Sequence, residues 1–260
     1  MDVKTAVTQP AQPDNSAGIS PRWNAILLAG DRPGGDPLAQ HFGVASKALV
    51  PIGGRAMAAH GLATLLAHPR IAQVTVLAQD PEGLLAHADL SPFRDDPKLH
   101  LARSGQGIAG SVAATLRALP DPWPVLVTTA DHVLLDRAML DWMFDHAGGS
   151  DVAVGLVSRA VIEAEQFDTR RTWLRFRDAD VTGANLFALT TPRAFAALDY
   201  WQGMEAHRKS PLRLAWGLGP VLLLAILLRR LSVAAAFAAI GRKLGVSAAP
   251  ILIPHARAGV

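Results

Sequence analysis

The stretch Ala25-Ile-Leu-Leu-Ala-Gly-Asp-Arg-Pro-Gly-Gly-Asp-Pro-Leu38 runs from an unbroken apolar segment straight into a loop that holds Gly30, Gly34 and Gly35. Apolar residues at successive positions, rather than at every second one, mark a strand covered on both faces, as in parallel sheets. Glycines at the end of such a strand let backbone N–H groups approach phosphate oxygens closely, and Arg32 adds positive charge beside them. The loop also lies where ligands bind in open α/β sheets, past the carboxyl end of a strand. Its spacing is neither the dinucleotide fingerprint nor a Walker A loop, and a glycine turn that merely closes the strand is the plainer alternative.

Outward from this stretch, Val-, Ile- and Leu-rich runs alternate with segments of helical period. That alternation predicts the α/β class, with a mainly parallel central sheet and helices on both faces. Strands are expected at 23–29, 73–78, 99–103, 124–129, 152–157, 185–189 and 249–253, and helices at 55–67, 110–118, 137–146, 192–201, 220–230 and 233–244. Pro192 and Pro220 suit a first helical turn, Asp136 and Ser232 suit caps, and Gly245 suits a helix end. Residues 22–260 are read as one domain, preceded by a disordered tail over 1–21 that mixes Pro, Ser, Gln and Asp.

Half of the 260 residues are apolar, enough for a sizeable core, and the absence of cysteine excludes disulfides, thiolate metal sites and a cysteine nucleophile. The tail has no apolar core of the kind a secretory signal needs, so a cytoplasmic protein is expected. The formal charge of +3 is unevenly spread. Beyond Glu205 there are eight basic residues and no Asp or Glu, which leaves 17 basic side chains to face all 22 acidic ones in the first 205 residues. Within that basic quarter, residues 211–245 form an apolar helical element with cations only at the helix ends. Leu214 to Leu228 is uncharged over 15 residues, short of the ~18 to 20 that a spanning helix needs. Helices apolar on every side are buried or meet lipid, and the wholly positive flanks suit an anionic membrane surface, so both readings stand. Few aromatics accompany these cations, and no nucleic-acid partner is expected.

Two further stretches carry chemistry. In Ser46-Lys47-Ala48-Leu49-Val50-Pro51-Ile52-Gly53-Gly54-Arg55, a lysine precedes an apolar step and a Gly-Gly turn that opens a helix; such a lysine can hold a phosphate as a point charge. In Val125-Leu-Val-Thr-Thr-Ala-Asp131-His132, a buried strand delivers a carboxylate just past its end, where it can bind a hard divalent cation bridging triphosphate oxygens. Capping of the next helix is the alternative for Asp131, although Asp136 suits that role better. The nine histidines show no metal-ligand spacing.

Together these stretches resemble the nucleotidyltransferases with a GT-A-like fold, especially the molybdenum cofactor guanylyltransferase-like group. The likeness covers most of residues 23–260. That family usually carries Leu-Ala-Gly-Gly or Leu-Ala-Ala-Gly, a Gly/Ser loop, Arg-Met, then Lys and Pro. Here Asp31 stands where Gly is common, and Gly34-Gly35-Asp36-Pro37 lengthens the loop.

The resemblance implies attack of an acceptor phosphate on the α-phosphorus of CTP or GTP, with Mg²⁺ (or Mn²⁺) on Asp131. Lys47 and Arg32 would hold the triphosphate, and Leu28, Ala29, Gly30, Asp31, Gly34, Gly35, Gln79, Gly110 and Ser111 would line the nucleotide. Gly107-Ile-Ala-Gly110-Ser111 is similar to the family's Gly-x-x-x-Ser, and Thr182-Gly183-Ala184-Asn185-Leu-Phe to its Gly-Gly-Asn-Leu/Val-Phe. Gly183, Asn185, Arg171, Arg175 and Lys209 would face a phosphorylated acceptor, small or lipid-linked. The basic run 169–177 also reads as a solvated edge strand. The family places a second metal-binding Asp soon after an Ala-Gly-Ile/Val step, and here Ala258-Gly259-Val260 are the last residues of the sequence. A glycosyltransferase using an NDP-sugar would carry Asp-x-Asp where this chain has Asp131-His132-Val133. A non-catalytic nucleotide-binding or membrane-adaptor protein is the other alternative.

Overall fold

The computed structural model describes residues 22–31, 34–105, 107–167, 171–206 and 219–260. In chain order the elements are β1 (Trp23–Leu28), α1 (Pro37–Phe42), β2 (Pro51–Ile52), β3 (Arg55–Ala56), α2 (Met57–Ala67), β4 (Ile71–Ala78), α3 (Pro81–Leu85), β5 (Leu99–Arg103), α4 (Ile108–Ala118), β6 (Val125–Thr129), α5 (Arg137–His146), β7 (Val152–Ser158), α6 (Arg159–Ala164), β8 (Leu174–Arg175), β9 (Asp180–Leu189), α7 (Ala194–Ala206), α8 (Pro220–Leu227), α9 (Val233–Leu244) and β10 (Ala248–Leu252).

The main sheet has the order β10-β7-β9-β6-β1-β4-β5, with β8 added alongside β9. β1 lies parallel between β4 and β6, and the β4–β5 and β10–β7 pairs are parallel too. β9 runs antiparallel to β6, β7 and β8. The expected α/β architecture, a mainly parallel sheet with helices around it, is the observed one.

Apolar residues at successive positions work as the pleat requires. Ala25 and Leu27 of β1 and Leu126 of β6 pack on one side with Leu62 and Leu65 of α2 and Met139 and Leu140 of α5. Ile26, Val125 and Val127 pack on the other with Val112 and Leu116 of α4 and Leu198 of α7. Each fully buried leucine contributes about 2 kcal/mol, so these two layers fix β1 and β6 in depth and direction.

Several elements differ from expectation. Arg55 does not open a helix: Pro51–Ile52 and Arg55–Ala56 form a two-stranded hairpin across Gly53-Gly54, and α2 starts at Met57. Helix α7 begins at Ala194 and reaches Ala206, and β9 begins at Asp180. The two apolar helices of 211–245 also part company. Helix α9 joins the fold through Val233, Ala236 and Gly241, capped by Ser232 at one end and Gly245 at the other. Helix α8 spans only eight residues and leaves Leu224, Leu227 and Leu228 exposed. Among the described residues no helix is long and apolar enough to cross a membrane.

Candidate functional site

The carboxyl end of β1 is clamped from both sides, because Ala29 N–H donates to Leu77 O (2.9 Å) and Ala130 N–H donates to Leu28 O (2.9 Å). Leu28, Ala29 and Gly30 are thereby held level with the ends of β4 and β6. A Cβ on Gly30 would lie 3.2 Å from the Gln79 side-chain amide, so glycine admits that amide against the loop. Gln79 uses both ends of it: Asp31 N–H donates to Oε1 (2.9 Å) and Nε2 donates to Asp31 O (3.0 Å). The Asp31 carboxylate in turn accepts from Lys47 N–H (2.8 Å). The connecting loop turns at Gly34 and Gly35, both at positive φ, and Asp36 caps α1 by accepting from Leu38 N–H. Ser46 then caps the short 3₁₀ turn that presents Lys47. Arg32 lies outside the described residues.

Lys47 Nζ meets Asp131 Oδ2 at 2.6 Å, and Thr129 Oγ1 donates to the other carboxylate oxygen at 2.5 Å. Burial is the largest single influence on the Asp131 carboxyl and pushes it up, but the Lys47 and Thr129 hydrogen bonds and the Lys47 charge together outweigh it and hold it below its ordinary value. The pair is 31% and 38% exposed. Such pairs add about 0 to 1 kcal/mol to stability, so the fold gains little from placing them together. One carboxylate at a strand end fits Mg²⁺, which takes one or two protein carboxylates and draws its remaining ligands from phosphates and water. Among the described residues no group of three or more His, Asp or Glu forms a metal cage. Next to Asp131, His132 is buried, and neither ring nitrogen has a hydrogen-bond partner among the described residues. Burial lowers its pKa to about 4, which keeps the ring neutral.

The start of α4 is occupied from within. Glu205 of α7 accepts from Ile108 N–H (3.2 Å) and Ala109 N–H (3.3 Å), and a Cβ on Gly107 would lie 2.6 Å from that carboxylate. Gly110 packs against the Gln202 amide. Ser111 is buried; its Oγ accepts from Gly105 N–H (3.0 Å) and donates to Gly107 O (2.7 Å), so the hydroxyl shapes the turn ahead of the helix.

Opposite, β9 passes the end of β6. Thr128 pairs with Leu186, whereas Val181 pairs with Leu174 of β8, so Thr182–Asn185 cross the space between these two strands. The β7–β9 register shifts in this same region, and Asn185 sits there at φ 51°, an uncommon conformation for a non-glycine residue. Gly183 is exposed and Asn185 half-buried. Arg171 is half-exposed and close enough to act on the His132 charge, while Arg175 is exposed on β8, which among the described residues pairs with β9 alone. Lys209 lies outside the described residues. Sequence reasoning missed Thr129 and Glu205. Thr129 stood in plain view two residues ahead of Asp131, whereas nothing local in the sequence ties Glu205 to residues 108–109.

Residues 25–211 match the MobA-like NTP transferase domain family. A hypothetical transferase from Thermus thermophilus is 32% identical with a TM-score of 0.76, and the match covers 92% of this chain and 96% of that one. Two more distant structures share the fold. A 4-diphosphocytidyl-2C-methyl-D-erythritol synthase from Anaerococcus prevotii has 12% identity and a TM-score of 0.52, covering 71% of this chain and 78% of that one. A CMP:2-keto-3-deoxy-manno-octonic acid synthetase complexed with CTP has 13% identity and a TM-score of 0.51, covering 89% and 90%. No match was found among curated proteins. With the family's domain matched over most of its length and a 32% identical transferase superposing along nearly all of it, the chain belongs to the MobA-like NTP transferases and is a nucleotidyltransferase.

Proposed function

We propose that the enzyme transfers the NMP group of CTP or GTP to a phosphorylated acceptor, small or lipid-linked, in the cytoplasm or at the inner face of the membrane. An acceptor phosphate oxygen attacks the α-phosphorus, the bond to the β-phosphate oxygen breaks, and pyrophosphate leaves. The observation that carries this reading is the meeting of Lys47 and Asp131 at 2.6 Å beside the glycine loop, where the ends of β1 and β6 converge.

In this reading the backbone from Leu28 to Asp31, with Gly34 and Gly35, cradles the nucleotide, and Lys47 and Arg32 bind its phosphates as cations. Gln79 and Asp31 hold Lys47 in place, and Ser111 shapes the turn beside the nucleotide. Asp131 holds Mg²⁺ (or Mn²⁺), which when bound neutralises charge on the phosphates. Gly183 and Asn185 line the acceptor side, with Arg171, Arg175 and Lys209 drawing in its negative charge. The rate then comes from positioning and charge neutralisation rather than from a covalent protein intermediate.

The test is pyrophosphate release from each of the four NTPs with Mg²⁺, across a panel of phosphorylated acceptors that includes lipid phosphates. One NTP and one acceptor should react, and Asp131→Ala and Lys47→Ala should each lower the rate by roughly a hundredfold or more. Turnover that survives in Asp131→Ala, or the absence of pyrophosphate with every pair while NTP still binds, overturns the proposal.

A further inference from the structure

Helix α8 and the residue after it read Pro220-Val-Leu-Leu-Leu-Ala-Ile-Leu-Leu228, and Arg229-Arg230 follow at once. One side of the helix reaches the protein: Ile226, with Leu231 and Phe237, packs on a small core of Leu156, Phe176, Val181, Val233 and Ala236. Leu224, Leu227 and Leu228 stay outside, with 55%, 79% and 52% of their surface exposed. Three large leucines clustered on one short segment exceed the scattered apolar exposure that an ordinary surface carries.

Cations surround them. Arg229 and Arg230 are exposed. The β8–β9 hairpin is tied to the same corner, because Arg177 N–H donates to Leu231 O (2.9 Å) and Val233 N–H donates to Asp178 Oδ1 (2.9 Å). That hairpin brings Arg175 and Arg177, both exposed. Two carboxylates share the corner, Asp178 accepting that N–H and Asp180 lying 3.6 Å from Arg229, so the four arginines still outnumber the acids. A symmetric pairing of two copies through this face would set arginines against arginines. An anionic bilayer instead offers hydrocarbon to the leucines and, a few ångströms higher, negative headgroups to the arginines. At 1.5 Å per residue α8 is about 12 Å long, which suits lying in the interface and not crossing it.

We propose that this corner docks on an anionic lipid bilayer, with Leu224, Leu227 and Leu228 among the acyl chains and Arg175, Arg177 and Arg230 at the headgroups. Docking does not depend on the reaction proposed above and is tested without nucleotide.

The full chain is floated with vesicles of phosphatidylcholine alone, or with about one third phosphatidylglycerol. It should rise with the anionic vesicles, be released by high salt, and remain at the bottom with neutral ones. Arg230→Ala should weaken binding roughly fivefold, and Leu224→Ser/Leu227→Ser/Leu228→Ser should abolish it, both in a chain that circular dichroism shows still folded. No flotation with anionic vesicles, equal flotation with neutral ones, or flotation that survives the triple change overturns the proposal. So does light scattering that finds a dimer dissolved by the same leucine changes, since the face would then join two copies.

Discussion

Lys47 and Asp131 were legible because each ends a local pattern, an apolar strand or a loop leading to a Gly-Gly turn, and β1 and β6 are neighbours in the sheet. Their supports were not. Asp31 and Gln79 lie 48 positions apart, and Glu205 reaches residue 108 across 97, so no spacing rule connects them. The Gln79 side-chain amide brackets the Asp31 backbone, accepting from its N–H and donating to its carbonyl, while the Asp31 carboxylate accepts from Lys47 N–H, a chain of contacts that local sequence does not announce. Asn185 offers a sharper separation of roles. At φ 51° a side chain with a Cβ costs about 1 kcal/mol, a cost glycine escapes. Asn185→Gly should therefore melt no lower than the wild type yet raise the KM for acceptor, while Asn185→Ala should lower the melting temperature as well. Thermal melting together with acceptor titrations checks this, and a Gly variant with unchanged KM would confine Asn185 to shaping the strand.

Long elements with a full apolar pattern, such as β1, β6 and α5, announced themselves, whereas α1, α3 and α6 span six residues or fewer and show no period. Their starts rest on single caps, Asp36, Asp80 and Ser158, each accepting from a backbone N–H a few residues on. The reversal of β9 was equally hidden, since apolar strands read alike in either direction. A buried carboxylate fastens the other end of this half of the sheet. Asp151, just before β7, accepts from Thr191 Oγ1 (2.6 Å), Ser247 N–H (2.7 Å) and Ser247 Oγ (3.1 Å), tying the exit of β9 and the approach to β10 to one point. The Thr191 hydroxyl first, then the Ser247 N–H, hold its carboxyl below the ordinary value against the opposing effect of burial. Asp151→Asn should cost about 2 to 3 kcal/mol, read as a lower urea midpoint. Because the folded carboxyl titrates low, its contribution is complete above the usual carboxylate range and is lost as pH falls through the depressed value. The acid limb of wild-type stability below about pH 4 should thus flatten in the variant.

For the molecule as a whole, the parallel character of the sheet was legible but the strand order was not, because β10 pairs directly with β7 from far along the chain, Asp151 N–H reaching Ser247 Oγ across 96 positions. Two buried histidines bear on its response to mild acid. Burial lowers His132 to about 4 and lowers His68 against the pull of Asp141. Between the ordinary value of 6.5 and 4 the unfolded chain binds a proton at His132 that the folded one refuses. Stability is therefore full above the upper value and declines as pH falls toward the lower, by on the order of 3 kcal/mol for this ring. Melting temperature should drop from pH 7 to pH 5, and His132→Leu should make that drop shallower; parallel profiles would exclude the ring as its source. The placing of β10 also bears on birth. Residues of β1, β4, β5 and β6 all leave the ribosome before residue 130, so the half of the sheet bearing Lys47 and Asp131 can close early. Ser247 follows Asp151 by 96 residues, which at ribosomal speed is roughly 5 to 20 s. Throughout that interval the outer edge of β7 is a bare template for any passing strand, so the nascent chain is most in need of a chaperone at the β7 side of its sheet.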